Sequence, residues 1–337
     1  MTPNLPVRPP AADFPPARYR TERVADKRAQ FHVITMISNP AEFYRRYELY
    51  KQFEDRMLND YSVQLWTCEI ALGERAFAVT DARNPRHLQL RTNDEFWHKE
   101  NALNLMVARL PADWQTVAWI DADIKFLNAN WVDDTLAALD VYEVVQLWEN
   151  ANDLGPRGET IHTHKSAMSS YIQGIDYEGG YASKGKWHPG YAWAMTRTAW
   201  NNLGGLIDRS PVGSADFIMC HALVGKYERT MRGGTYPQAY MDYCKAWQGR
   251  AERYVKRDVG FVPGTIVHFW HGDKVNRKYY PKHKVIIDNN FHPFLDIFTD
   301  WQGLYRIEDH AIGLRDDIRR YFRERDEDST TRISNMG

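Results

Sequence analysis

The apolar positions change period several times along the chain, and each change marks an expected element. Phe31-His32-Val33-Ile34-Thr35-Met36-Ile37 is a dense apolar run closed by Ser38-Asn39-Pro40, which reads as a buried strand ending in a turn. From 41 to 59, Phe43, Tyr47, Tyr50, Phe53 and Met57 recur at helical spacing. Strands are expected over 63–70 and, at an edge, over 77–80, followed by a helix over 95–108 that Pro111 ends. A strand over 117–121, a helix over 131–139 and a strand over 141–148 continue the alternation. Strands alternating with helices imply an α/β fold, a sheet with helices on its faces. Ligands of such sheets bind at the carboxyl ends of the strands.

The pattern then lapses. Residues 151–186 are rich in Gly, Ser, His and Asn without a clear period, and read as a flexible loop able to act as a lid. Regular structure is expected again over 187–195, in helices over 198–202 and 214–223, and in a strand over 264–270. The first 30 residues hold six of the 16 prolines and read as an extended arm. Residues 31–322 read as one domain, with 286–322 a helical appendage, and 323–337 as a polar, frayed tail.

The chemistry concentrates in Val117-Ala118-Trp119-Ile120-Asp121-Ala122-Asp123-Ile124-Lys125-Phe126. Side chains alternate along a strand, so Asp121 and Asp123 are expected on one face. Two carboxylates aimed at one spot repel unless a cation lies between them, and Mg²⁺ or Mn²⁺ suits such oxygen ligands. Phosphates completing the shell would make this a nucleoside-diphosphate site.

Composition narrows the class. With 337 residues, 43% hydrophobic and 13% aromatic, the chain is long enough for a large core. A net charge of −1 gives no global attraction to nucleic acid or anionic membranes. Cys68, Cys220 and Cys244 have no metal-type spacing and read as reduced thiols, which favours a cytoplasmic setting. The opening residues lack a signal-peptide pattern, and no apolar stretch is long enough for a membrane span.

Five segments in order resemble, over about 31–285, the GT-A (Rossmann-like) nucleotide-sugar glycosyltransferases of the β-1,4-galactosyltransferase and chondroitin-synthase kind. Lys99-Glu100-Asn101-Ala102-Leu103-Asn104 is similar to that family's Arg/Lys-x-x-x-Leu-Asn element, which implies that Lys99 and Asn104 approach the nucleotide sugar. Asp121-Ala122-Asp123 matches the Asp-x-Asp, implying Asp123 on the metal and Asp121 on the ribose or the metal. Trp187-His188-Pro189-Gly190-Tyr191-Ala192-Trp193 resembles the segment lining sugar and acceptor, so His188, Gly190, Tyr191 and Trp193 are candidates there. Gly213-Ser214-Ala215-Asp216 resembles the region that carries the general base of inverting members, which assigns Asp216 that role. Ala215 stands where the family has Glu. His268-Phe269-Trp270-His271-Gly272-Asp273-Lys274 resembles the late metal-binding segment. Three residues apart on a strand, His268 and His271 face opposite ways, so one of them is expected as ligand, with His268 favoured and His271 its rival. Lys274 and Arg277 suit the diphosphate, while Ser38, Asn39 and Glu69 lie at strand ends where the family seats uracil and ribose.

The resemblance implies a mixed sheet with a nucleotide-binding half (31–150) and an acceptor and metal half (187–285). It implies Mn²⁺ or Mg²⁺ as cofactor and a nucleotide-diphosphate sugar, of the UDP type, as donor. The acceptor is expected to be a glycan or small molecule, such as a bacterial surface glycan. The runner-up is a hydroxymethylated base of phage DNA, which the arginines of the arm and of 316–325 could contact.

Overall fold

The computed structural model describes residues 26–176, 187–273 and 282–329. Its strands in chain order begin with β1 (Phe31–Ser38), β2 (Gln64–Leu72), β3 (His87–Thr92), β4 (Thr116–Ile120), β5 (Ile124–Phe126) and β6 (Val144–Gln146). They continue with β7 (Asn150–Leu154), β8 (Thr160–Lys165), β9 (Ala192–Thr196), β10 (Val259–Phe261), β11 (Thr265–His268), β12 (Ile297–Thr299) and β13 (Tyr305–Ile307). The main sheet has the order β10-β6-β9-β4-β1-β2-β3. β1, β2, β3 and β4 pair in parallel, while β9 runs antiparallel between β4 and β6, so the sheet is mixed.

Both faces are covered, and the strand sequences show why. Phe31, Val33, Leu65, Ala118 and Ile120 join one buried cluster, with Phe53 of the helix Tyr44–Asp55 and Trp131, Val132 and Leu136 of the helix Trp131–Leu139. Their strand neighbours Ile34, Trp66, Cys68, Val117 and Trp119 point the other way. They pack with the helices Lys99–Val107, Arg197–Leu203, Ala215–Leu223 and Gln238–Arg250. Alternation along each strand thus feeds two cores at once, as a doubly covered sheet requires.

Several expectations are corrected. Residues 77–80 form no strand, because the Glu69 carboxylate accepts the backbone N–H groups of Ala78 (2.6 Å), Val79 (3.1 Å) and Thr80 (2.8 Å). The edge strand is β3 instead. Within the supposed loop 151–186 lie most of β7, all of β8 and the helix Ala167–Ile172, while 177–186 fall outside the described residues. Their period was hidden because the positions β7 buries alternate as Ala151 and Asp153, so a polar residue occupies an inward place. The appendage 286–322 carries the hairpin β12–β13 as well as the helix Ile312–Arg323. The tail is not frayed as far as 329, since Arg325 and Glu327 are buried.

A second sheet, β5-β11-β7-β8, stands beyond the carboxyl end of β4. The Asp pair therefore lies in the turn between β4 and β5, where the chain passes from one sheet to the other, rather than on a strand. Phe126 anchors β5 by stacking on Trp131 at 4.2 Å, with Phe31 and Tyr61 meeting the indole edge-on. Asp123 O accepts the Phe269 N–H (2.8 Å), tying the turn to the end of β11. Among the described residues, no helix is long and apolar enough to cross a membrane.

Replacing Trp131 with Ala should remove the platform under β5 and lower the unfolding free energy by about 3–5 kcal/mol. A shifted urea midpoint at unchanged slope is the expected reading.

Candidate active site

Asp123, His268 and His271 converge, and all three offer ligand atoms within 4.8 Å of one another. Asp123 Oδ2 lies 2.9 Å from His271 Nε2 and 3.5 Å from His268 Nε2, and the two Nε2 atoms are 3.2 Å apart. The two rings do not face opposite ways as expected of a strand, because β11 ends at His268 and residues 269–271 no longer follow strand geometry. Each ring is backed by a carboxylate. Asp153 Oδ1 accepts from His268 Nδ1 at 2.9 Å, and Glu327 Oε2 stands 3.5 Å from His271 Nδ1. A hydrogen on each Nδ1 leaves both Nε2 lone pairs facing one point. Such lone pairs cannot sit 3.2 Å apart without a proton or a cation between them. Burial alone would raise the Asp123 carboxyl, but with the imidazoles protonated their charge and hydrogen bonds outweigh it and hold the carboxyl well below its ordinary value. Its second oxygen, Oδ1, is buried with no hydrogen-bond partner among the described residues. That orphaned oxygen and the paired nitrogens fit a divalent cation.

Asp121 stands apart from this trio. Lys99, the first residue of its helix, binds the Asp121 carboxylate with its ammonium group. Burial pushes the Asp121 carboxyl upward, against the pull of Lys99 and with the repulsion of Asp123. The two aspartates thus have separate partners, one on each side of the turn.

These groups open into a cavity of about 640 Å³, within the range that takes a substrate-sized ligand. Ser38 at the end of β1 lines it, as do His188, Gly190, Tyr191 and Asp216. Asp216 sits in the first turn of the helix Ala215–Leu223, after Ser214 at φ +76°. A Cβ on Gly190 would stand 3.1 Å from Asp216 Oδ2 and 3.2 Å from His188 Cε1, so a larger residue would crowd both. Tyr191 adopts φ +79°, a costly conformation for a bulky residue. In return its hydroxyl donates to Asp153 (2.9 Å) and its ring lies 4.7 Å from that of His268. Two further buried groups face the cavity. Burial pushes Glu100 up to about 8, with Lys99 opposing. Lys282 is pushed down to about 8 by burial, against the pull of Asp216.

No protein-family model and no curated protein matches the sequence. Among solved structures, the catalytic domain of Drosophila β1,4-galactosyltransferase 7 is similar at 12% identity and a TM-score of 0.30, over 56% of this chain and 58% of that one. The match thus spans little more than half of the fly domain. That enzyme has also been solved with manganese, UDP-Gal and xylobiose. A protein described as a candidate nucleotide-diphospho-sugar transferase from Desulfovibrio desulfuricans G20 matches at 13% identity and 0.31, over 87% of this chain and 98% of that one. S. aureus TarS matches at 10% identity and 0.32, over 57% and 54%. The first two bear names of the class the sequence motifs resemble. Likenesses this distant leave the function to be argued from the site itself.

Not every candidate residue reaches the cavity. Asn104 is turned away, with its amide donating to Leu206 O (3.1 Å) and Asp208 (2.9 Å) and accepting from Leu206 N (2.9 Å). Trp193 is a core residue stacked on Trp119, with its indole N–H donating to Pro189 O (2.7 Å). Glu69 is engaged by the 78–80 loop, and Asn39 exchanges two hydrogen bonds with the Phe43 backbone. Lys274 and Arg277 lie outside the described residues. Asp153, Glu327, Glu100 and Lys282 were missed as site residues. Glu100 alone carried a signal, since it adjoins Lys99 at the start of the same helix.

Replacing Asn104 with Ala should cost about 1–3 kcal/mol of stability and leave metal affinity unchanged, checked by urea melts and Mn²⁺ titration. Glu100 binds its proton more tightly folded, at about 8 against an ordinary 4.5. Its contribution to stability is therefore whole below the unfolded value and lost as pH rises through 8. Glu100→Gln should flatten the fall in melting temperature between pH 5 and pH 8, as measured by calorimetry.

Proposed function

We propose that this chain is a metal-dependent glycosyltransferase of the GT-A type. It would move a sugar from a nucleotide-diphosphate sugar, with UDP the carrier, to a hydroxyl of a glycan or small molecule, with inversion. The observation that carries the reading is the convergence of Asp123, His268 and His271 at the wall of a cavity that also holds Asp216. A divalent cation held by these three side chains would neutralise charge on a departing diphosphate. Two imidazoles beside one carboxylate favour Mn²⁺ over Mg²⁺.

The chain's own groups account for the remaining work. Lys99 holds Asp121 in place at the turn, and Asp121 is offered to the ribose. Lys282 adds positive charge on the cavity wall, suited to phosphate oxygens. Asp216 Oδ1 accepts the Phe217 N–H (2.8 Å), which fixes the carboxylate and leaves Oδ2 towards His188 and Gly190. As the acceptor oxygen bonds to the anomeric carbon, its proton passes to Asp216. The bond from that carbon to the diphosphate breaks, and its electron pair leaves with the phosphate. One displacement inverts the centre. Tyr321, Phe322 and Trp97 line the cavity with aromatic surface that would limit water access during transfer.

The test is UDP release from a panel of UDP-sugars, with Mn²⁺ or with EDTA. Metal-dependent release from one sugar is expected, and Asp123→Ala should abolish it. Asp216→Asn should lower transfer to acceptor by about 10²-fold or more while UDP affinity holds. Calorimetry showing no binding of UDP in the presence of Mn²⁺ would overturn the reading.

A further inference from the structure

The segment 325–329 packs against the candidate metal centre, although its sequence gave no sign of it. Glu327 is 1% exposed, and three cationic or imidazole groups surround its carboxylate. Arg46 donates through Nε (2.5 Å) and Nη2 (2.6 Å), Arg325 through Nη2 (2.7 Å), and His271 Nδ1 stands 3.5 Å from Oε2. Burial would raise this carboxyl, but the two guanidinium groups outweigh it and hold it well below the ordinary range. Removing a carboxylate from water is costly, and here two arginines offset that cost with bonded geometry.

The flanks of Glu327 are pinned to the same neighbourhood. The Asp328 carboxylate accepts the backbone N–H groups of Tyr44 and Arg45, each at 2.9 Å, where the helix Tyr44–Asp55 begins. The Trp270 indole N–H donates to Ser329 O (2.8 Å), and Arg45 Nε donates to Trp270 O (3.0 Å). Arg46 Nη1 also donates to Ser38 O (2.5 Å), at the cavity end of β1. Gly272 meets the segment backbone to backbone, since a Cβ there would fall 2.3 Å from Asp326 O. One short stretch therefore holds together the His271 turn, the end of β1 and the start of a helix.

We infer that 325–329 is a built part of the metal centre, with Glu327 the positioning residue for His271, so that metal occupancy and docking of the segment reinforce each other. The inference rests on the metal reading above. A carboxylate behind Nδ1 fixes the ring and turns Nε2 to the ligand position, and Asp153 does the same for His268. Whatever holds His271 in that pose favours metal, and metal in turn favours the pose.

The experiment titrates Mn²⁺ into the full-length wild type, Glu327→Gln, Asp328→Ala and Asp123→Ala, with folding checked by circular dichroism. Glu327→Gln should bind Mn²⁺ about 10–100-fold more weakly. Asp328→Ala touches neither a metal ligand nor the guanidinium groups that hold Glu327, yet should weaken binding at least about fivefold through the loosened segment. It also carries the test if Glu327→Gln fails to fold. Hydrogen exchange at the amides of 328 and 329 should slow when Mn²⁺ is added to wild type. If the variants at 327 and 328 bind Mn²⁺ like wild type while Asp123→Ala does not bind, the inference falls and the metal reading stands. If wild type itself binds no Mn²⁺, both fall.

Discussion

Three electron-rich groups held at one point form the constraint on which the rest of this molecule depends. Two imidazole nitrogens 3.2 Å apart and a carboxylate beside them repel in the absence of positive charge. Keeping them together requires a rigid frame, and the frame is the seam between two sheets. β4 delivers the chain to Asp121 and Asp123, β5 carries it away, and β11 returns antiparallel to β5 with His268 at its end. The backbone bond from Phe269 to Asp123 closes the seam. Buried carboxylates then hold the rings from behind, so the side chains have little freedom to relax apart.

The sheet was legible in the sequence because its strands are apolar on both faces and its helices carry apolar stripes. β1, β2, β4 and the helices over 44–55 and 131–139 fall close to where periodicity places them. The second sheet was not legible. Its strands β7 and β8 read Asn-Ala-Asn-Asp-Leu and Thr-Ile-His-Thr-His-Lys, and a strand whose buried places hold Asp153 and His164 shows no hydrophobic alternation. Polar groups became interior there because they bond to one another, a fact invisible before the partners are brought together.

The same division runs through the site. Asp121, Asp123, His268, His271 and Asp216 belong to short local patterns, and the structure brings them to one cavity. Asn104 and Trp193 belong to equally suggestive patterns, yet one pins the turn at Leu206 and the other stacks on Trp119. Residue type and spacing name a candidate, but only packing decides whether it faces ligand or core. Asp153 and Glu327 show the converse. Their importance comes from what stands opposite them: Asp153 pairs with His268 across parallel strands, and Glu327 lies 56 positions beyond His271.

The seam has a consequence for how the protein comes into being. Its parts are spread over the chain from Asp121 to Glu327, with β7 soon after the aspartates and β11 much later. Bringing such distant segments together carries a loop-closure cost that local helices and the adjacent pair β1 and β2 avoid. On a ribosome, the aspartates emerge well before the histidines, and the carboxylate behind His271 emerges after both. For that interval Asp123 and Asp153 lack their imidazole partners, and the centre can close fully only after Glu327 has left the exit tunnel.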